Sequence, residues 1–279
     1  MSLIFGDLIK SRRAAANTQT SVDAGGGMDL NSFDPDRLRV LEASGQFGWI
    51  DGFIETLGKA MENTRNVDAR SSLEQIARQV PRVLSGRRRR VKATVRLASL
   101  DSKFDDAIQA GDAARDRGDW AGGEFKYFQA LLCYPLHYGY IVQYAHCLKE
   151  QGKWIDAEVE YRNALALGEN SADLIGHIKF VEAKRGASSS RATTDSIKAY
   201  WGDERRANIP LSVPPIKSDI IELFRIFLQQ GAPSHEEIAS IMQASPSVGK
   251  VIERLVEYPS FVTANRTLIG FLVETSWRK

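Results

Sequence analysis

The sequence predicts an all-α protein, and three observations carry that prediction. Apolar residues recur at helical spacing in segment after segment, and nowhere does a convincing strand-like alternation replace that period. Two consecutive stretches also follow one plan at an offset of 34 residues. Gly111 recurs as Ala145, Gly118 as Gly152, Trp120 as Trp154, Gly123 as Ala157, Tyr127 as Tyr161, Ala130 as Ala164 and Leu131 as Leu165. Small, aromatic and apolar positions in register across such a span describe a helix–turn–helix written twice.

Bulk composition narrows the class. The 279 residues suffice for two or three compact units, and 43% hydrophobic content supports a buried core. Net charge is +2, from 37 basic and 35 acidic side chains, which argues against a dedicated nucleic-acid binder. Cys133 and Cys147 are too few for a disulfide scaffold and read as reduced apolar fillers. Met1 to Lys10 places its apolar residues before Lys10, Arg12 and Arg13, the reverse of a secretory leader. No run reaches the ~20 apolar residues that span a bilayer. The expectation is a cytoplasmic protein.

Taken in order, residues 1–33 read as a flexible lead, polar and small with Gly25, Gly26 and Gly27 in a row. Residues 34–102 read as an N-terminal helical region. Pro35 behind Asp34 is a helix start. Leu38, Val40 and Leu41, then Phe47, Trp49, Ile50, Phe53, Ile54 and Leu57, give apolar faces broken by Gly45, Gly48 and Gly52, so two short helices are expected. Ile76, Val80, Val83 and Leu84 carry another helix, which Pro81 must kink or end. A basic run comes next: Arg87, Arg88, Arg89, Arg90 and Lys92, with Arg82 and Arg96 nearby. It reads either as a solvated helix face or as a docking patch for an anionic inner-leaflet membrane surface or an acidic partner. Nucleic acid is disfavoured because no aromatic side chains interleave with the arginines.

Residues 103–186 hold the two copies and a third that begins but does not finish. Gly118 and Gly152 are expected to end each first helix in a left-handed turn. Trp120 and Trp154 should fill the wedge behind it, and Tyr127 and Tyr161 should pack into the following hairpin. Asp173 to Arg185 reads as a capping helix closed by Gly186. Two and a half repeats are marginal alone, so the N-terminal helices are expected to pack on the front of the array. Residues 187–216 read as a linker, from their Ser/Thr-rich start and from Pro210, Pro214 and Pro215. Residues 217–279 read as a separate helical bundle. Ser218 or Asp219 caps its first helix, Gly231 ends it, Ser234 and Glu237 form a capping box, and Pro246 and Pro259 divide the remainder.

The period and residue types of the duplicated stretch resemble the tetratricopeptide repeat (TPR), whose hairpins stack into a superhelix. The resemblance implies a short TPR-type α-α superhelix with a groove lined by the first helices. Carried over by position, that lining comprises Ile108, Asp112, Arg115, Val142, His146, Lys149 and Phe180. The Lys and Asn set with which some members clamp a terminal carboxylate does not occur here. The repeat wording around Gly111–Trp120 and Gln143–Trp154 is also similar to repeat regions placed ahead of bacterial glycosyltransferases. The C-terminal third, with Ile220–Gln229, Pro233 and Tyr258–Phe261, is similar to a helical module of bacterial surface-glycan proteins.

No phosphate loop, nucleophile elbow or zinc-ligand spacing is present, and Asp34-Pro35-Asp36 reads as a helix cap. No catalytic residue, metal or cofactor is expected. The function expected is a non-catalytic protein–protein adaptor or scaffold, serving surface polysaccharide synthesis. The alternatives are an accessory region acting with a catalytic glycosyltransferase partner, and a chaperone for a secreted client.

Overall fold

The structure is a computed structural model that describes residues 30, 33–169, 172–186, 191–202 and 210–266. Among these the chain is all-α, with no strand. The helices are α1 (Pro35–Ala43), α2 (Phe47–Asn63), α3 (Val67–Val83), α4 (Arg87–Ala98), α5 (Ser102–Asp116), α6 (Trp120–Cys133), α7 (Tyr138–Glu150), α8 (Trp154–Leu167), α9 (Ala172–Arg185), α10 (Arg191–Gly202), α11 (Lys217–Leu223), α12 (His235–Ala244), α13 (Val248–Val256) and α14 (Pro259–Ala264). A 3-10 turn at Pro210–Ser212 precedes α11, and a π turn at Phe224–Leu228 prolongs it. The chain divides into two compact units, Met1–Gln109 with Gln129–His137, and Ala110–Phe128 with Tyr138–Lys279. The expected lead falls almost wholly outside the described residues.

The first unit combines an apolar core with buried polar hubs at Glu42 and Asp101. Asp34 starts α1 by accepting from the Asp36 amide at 2.9 Å, as its position before Pro35 predicts. Of the two short helices expected, α1 is short, but α2 runs for 17 residues through Gly48 and Gly52, and of the three glycines only Gly45, at φ 75°, interrupts the chain; the pair buries Leu38, Leu41, Ile50, Phe53, Ile54, Leu57 and Met61. Asn66 caps α3 at the Ala69 amide over 2.9 Å, and the helix ends at Val83, two residues past Pro81.

Helix α4 has no capping side chain of its own. Its start is instead tied to α1 by Glu42, whose carboxylate accepts from Ser85 N at 2.6 Å and Gly86 N at 3.0 Å, the two residues just ahead of the helix. Asp101, fully buried, starts α5 by accepting from Lys103 N and Phe104 N. It also receives both arms of Arg78 at 2.6 and 2.7 Å and the Tyr134 hydroxyl at 3.1 Å. A buried carboxylate is tolerated because every oxygen has such partners.

The second unit is organised around α8. That helix is buried almost all round: Ala157, Val159, Tyr161, Ala164, Leu165, Ala166 and Leu167 are each at most 2% exposed. Its charged residues Glu158, Glu160 and Arg162 are buried too and are satisfied by pairing. Arg162 Nε donates to Glu158 at 2.9 Å and its other arm bonds Glu182 of α9. Arg185 donates to the second Glu158 oxygen at 2.8 Å.

The C-terminal helices complete the burial of α8. Val159 shares one core with Ile220, Leu223, Phe224, Leu228, Ile238, Ile241, Met242, Val251 and Leu255. Lys217 closes the seam, its amide on Asn163 at 3.2 Å and its ammonium on Glu160 at 3.0 Å. The expected separate C-terminal bundle is therefore corrected. Residues 217–266 belong to the same compact unit as α7 to α9, because the apolar faces of α11 to α13 have Val159 to cover.

The expected linker is corrected as well, since α10 occupies Arg191–Gly202. Ile197 and Tyr200, one turn apart, are 5% and 2% exposed, and the Thr193 hydroxyl donates to Gln243 O at 2.6 Å. Its Ser/Thr-rich opening masked an ordinary amphipathic helix. Gly231 does not end α11 either: the chain leaves the π turn at Gln229, which adopts φ 53°. Ser234 caps α12 at the Glu237 amide over 3.1 Å, but the Glu237 carboxylate turns to the Tyr258 hydroxyl at 2.9 Å.

Candidate interaction face of the repeated hairpins

The 34-residue plan reappears as geometry within the second unit. Gly118, Gly152 and Gly186 have φ of 74°, 75° and 74°, so each first helix, and α9 after them, ends in the left-handed turn that glycine enters at least cost. At Gly111 an added Cβ would lie 2.9 Å from the Tyr127 ring, so the glycine is what admits the tyrosine. Tyr127 and Tyr161 are both fully buried, and each reaches the next helix: Tyr127 stacks on Tyr140 at 6.2 Å and Tyr161 on His177 at 5.4 Å. Trp120 and Trp154 are only half-buried, so they flank the turns and do not fill the core.

Four positions in each copy then converge. In the first, the Tyr127 hydroxyl donates to Asp112 at 2.6 Å, and Arg115 reaches Asp112 at 3.0 Å and Gln143 of α7 at 3.1 Å. In the second, the Tyr161 hydroxyl and His146 Nδ1 are 2.6 Å apart, and the His146 ring meets His177 of α9 edge-on at 4.5 Å. Asp112, Arg115, Tyr127 and Gln143 thus correspond to His146, Lys149, Tyr161 and His177.

Half-buried Asp112, Arg115, Gln143, His146 and Lys149 make this a polar face, which passes into an aromatic and cationic end. Phe180 is 45% exposed there and meets Trp154 edge-on at 5.9 Å. Lys149 and Lys184 stand over the Phe180 ring at 5.8 and 5.5 Å.

Burial, with smaller contributions from His177 and Lys149, pushes the His146 imidazole down to about 4, so it is neutral at pH 7. His177 is lowered in the same sense, again chiefly by burial. Burial raises both tyrosines, Tyr127 with help from Asp112, so each hydroxyl keeps its proton. The Cys147 thiol is pushed up to about 11 by burial and sits against Gly123, a packing position. Among the described residues no three His, Cys, Asp or Glu side chains group as metal ligands.

Of the seven residues expected to line a groove, Asp112, Arg115, His146 and Lys149 join the repeated constellation, and Phe180 ends the face. Val142 is half-buried on α7. Ile108 is corrected: at 4% exposure it is a core residue, and it belongs to the first compact unit. Gln143 and His177 were missed. Their signal was present, since they too are 34 residues apart, but unlike polar side chains do not register as a repeat.

The basic run is turned largely inward. Arg87 is 8% exposed. Arg89 pairs with Glu42 at 3.1 Å and lies 3.5 Å over the Phe47 ring, and Arg90 donates to Pro81 O at 3.1 Å. Arg88 is half-buried, leaving Lys92 as the exposed cation among the five expected. The run serves the first unit's packing, because the apolar side of α4 carries the arginine stems in with it.

Comparison with known protein families and with curated proteins finds no match. Among the described residues no helix is long and apolar enough to cross a membrane.

Proposed function

We propose that the protein is a non-catalytic scaffold that holds a protein partner on the repeated face of α5, α7 and α9, and that the hairpins α5–α6 and α7–α8 with α9 form a short TPR-type superhelix. The observation that carries this is the recurrence of one four-residue constellation at a 34-residue offset. A periodic face presents similar contacts at regular intervals, which suits an extended chain and not a compact substrate. The left-handed glycines at the equivalent turns and the tyrosines reaching from each hairpin to the next support the superhelical reading. Exposed Phe180 beside Lys149 and Lys184 supplies an aromatic anchor of the kind that dominates binding energy. Arg87 to Arg90 carry no part of this reading, because their packing roles occupy them.

The test is quantitative affinity purification from the native cell with wild type, Phe180→Ala with Lys149→Ala, and Lys250→Glu as a distant control. A partner lost with the double variant and kept with the control is expected, with unchanged circular dichroism for all three. A partner retained equally by every variant overturns the assignment of the face.

A further inference from the structure

The first compact unit encloses a small cavity whose wall is not satisfied by packing alone. It lies between α3 and α4 and is closed by the end of α6 and the segment after it, with Arg78, Arg82, Arg90, Thr94, Cys133 and Tyr134 in the wall. It is partly open to solvent and has room for about one water-sized group. Thr94 is 1% exposed, and its hydroxyl has no hydrogen-bond partner. A threonine inside a helix commonly gives that hydroxyl to the carbonyl one turn back; Thr94 does not. A buried hydroxyl without a partner is destabilising, so one in a cavity wall marks where something binds.

The wall also carries charge of one sign. Three guanidinium groups line it and no acid does. Arg78 is answered by Asp101, which takes both its arms and the Tyr134 hydroxyl. Arg90 Nε is committed to Pro81 O at 3.1 Å. Arg82 gives one donor to Leu132 O at 3.0 Å and forms no ion pair among the described residues. A carbonyl accepts a hydrogen bond without neutralising the cation. Burial raises the Cys133 thiol, so the sulfur stays protonated and brings no negative charge of its own.

We propose that this cavity binds a monatomic anion, with chloride the abundant candidate, which accepts from the Thr94 hydroxyl and sits in the field of Arg82. Thr94 supplies the donor, so nothing depends on a free donor on any arginine. Size sets the class, since phosphate, sulfate and carboxylates exceed the space of one water. Charge favours an anion over a water there, because the wall offers cations and no carboxylate. The site belongs to the first unit and is independent of the reading of the repeated face.

The probe is sodium chloride. Full-length protein is held at constant ionic strength while sodium gluconate, whose anion is too large for the cavity, is replaced stepwise by chloride. The thermal midpoint of the wild type is expected to rise saturably, by about 2–4 °C once chloride exceeds its dissociation constant tenfold. Chloride-35 NMR should show line broadening that bromide displaces. Thr94→Val, which keeps most of the shape and removes the hydroxyl, should show neither effect. In gluconate it should be at least as stable as wild type, because it deletes a buried hydroxyl with nothing to bond, and in chloride the order should reverse. Arg82→Gln, at an exposed position, should keep its fold and weaken chloride binding several-fold. A midpoint shift of equal size in Thr94→Val overturns the proposal, as does the absence of displaceable broadening. So does a Thr94→Val protein less stable than wild type in gluconate as well as in chloride, because the hydroxyl then bonds water and the occupant is solvent.

Discussion

The Tyr161 hydroxyl lies 2.6 Å from His146 Nδ1, at the same two repeat positions where Tyr127 donates to Asp112 over 2.6 Å. One architectural bond is thus made twice with different chemistry. In the first copy the tyrosine's partner is an acid that Arg115 also holds; in the second it is an imidazole kept neutral by burial.

That difference sets unequal costs for the same substitution. Tyr127→Phe removes a bond within a charged pair, and a loss of about 1.5–3 kcal/mol is expected. Tyr161→Phe removes a bond between neutral groups, and about 0.5–1.5 kcal/mol is expected. Urea denaturation of the two variants against wild type checks the order; equal costs, or the reverse order, would mean that Asp112 contributes nothing through its charge.

Acid should weaken the fold through His146. The unfolded imidazole titrates near 6.5 and the folded one near 4, so between those values the unfolded state binds more protons. The contribution is complete above pH 6.5, drains as pH falls toward 4, and is constant below. A thermal-melt series from pH 7.5 to 4 should show a declining midpoint, and His146→Asn should reduce the slope because the amide does not titrate. Buried His137, also lowered to about 4, should leave a residual slope in that variant.

The legibility of each element in the sequence depends on how much its residue types signal by themselves. Gly118, Gly152 and the paired tyrosines announced the hairpins because their sizes and conformations are nearly irreplaceable at those positions. Asp34 announced α1 because an acid before proline has few other uses. Helix α8 was legible as a helix but not as a centre. Glu158, Glu160 and Arg162 carry no local sign of burial, and it is the arrival of Glu182, Arg185 and Lys217 from distant sequence that makes their burial possible. The arginine run misled for the same reason. A cation's partner, here Glu42 more than forty residues away, is set by tertiary contact and leaves no local trace. The polar face was half legible: its acids and bases could be placed by offset, while Gln143 and His177 share no residue type for an offset to reveal.

Glu42 should matter to α4 more than any residue of α4 itself. Glu42→Ala leaves the Ser85 and Gly86 amides and Arg89 without their buried acceptor, and a loss of about 2–4 kcal/mol is expected. Glu42→Gln keeps one carbonyl acceptor and should cost less. Hydrogen exchange at the Ser85 and Gly86 amides, which lead into α4, reads the effect directly. Protection unchanged in Glu42→Ala would show that the helix start does not depend on that carboxylate.

The buried charges around α8 make the sharpest stability test. Arg162 lies between Glu158 and Glu182, which are 0% and 2% exposed. Arg162→Met preserves much of the volume but takes the guanidinium away from two buried carboxylates, of which Glu158 keeps Arg185 and Glu182 keeps the Gln243 amide. Removing one partner of such a pair costs about 3–5 kcal/mol, mostly as the desolvation of what remains. Replacing the acids as well removes that penalty, so Arg162→Met with Glu158→Leu and Glu182→Leu should recover a large part of the loss. Arg185 keeps the recovery incomplete, since it then lacks the Glu158 oxygen at 2.8 Å. Chemical denaturation of wild type, single and triple variants decides the matter. A triple variant less stable than Arg162→Met would mean that the network stabilises α8 by more than the cost of burying it.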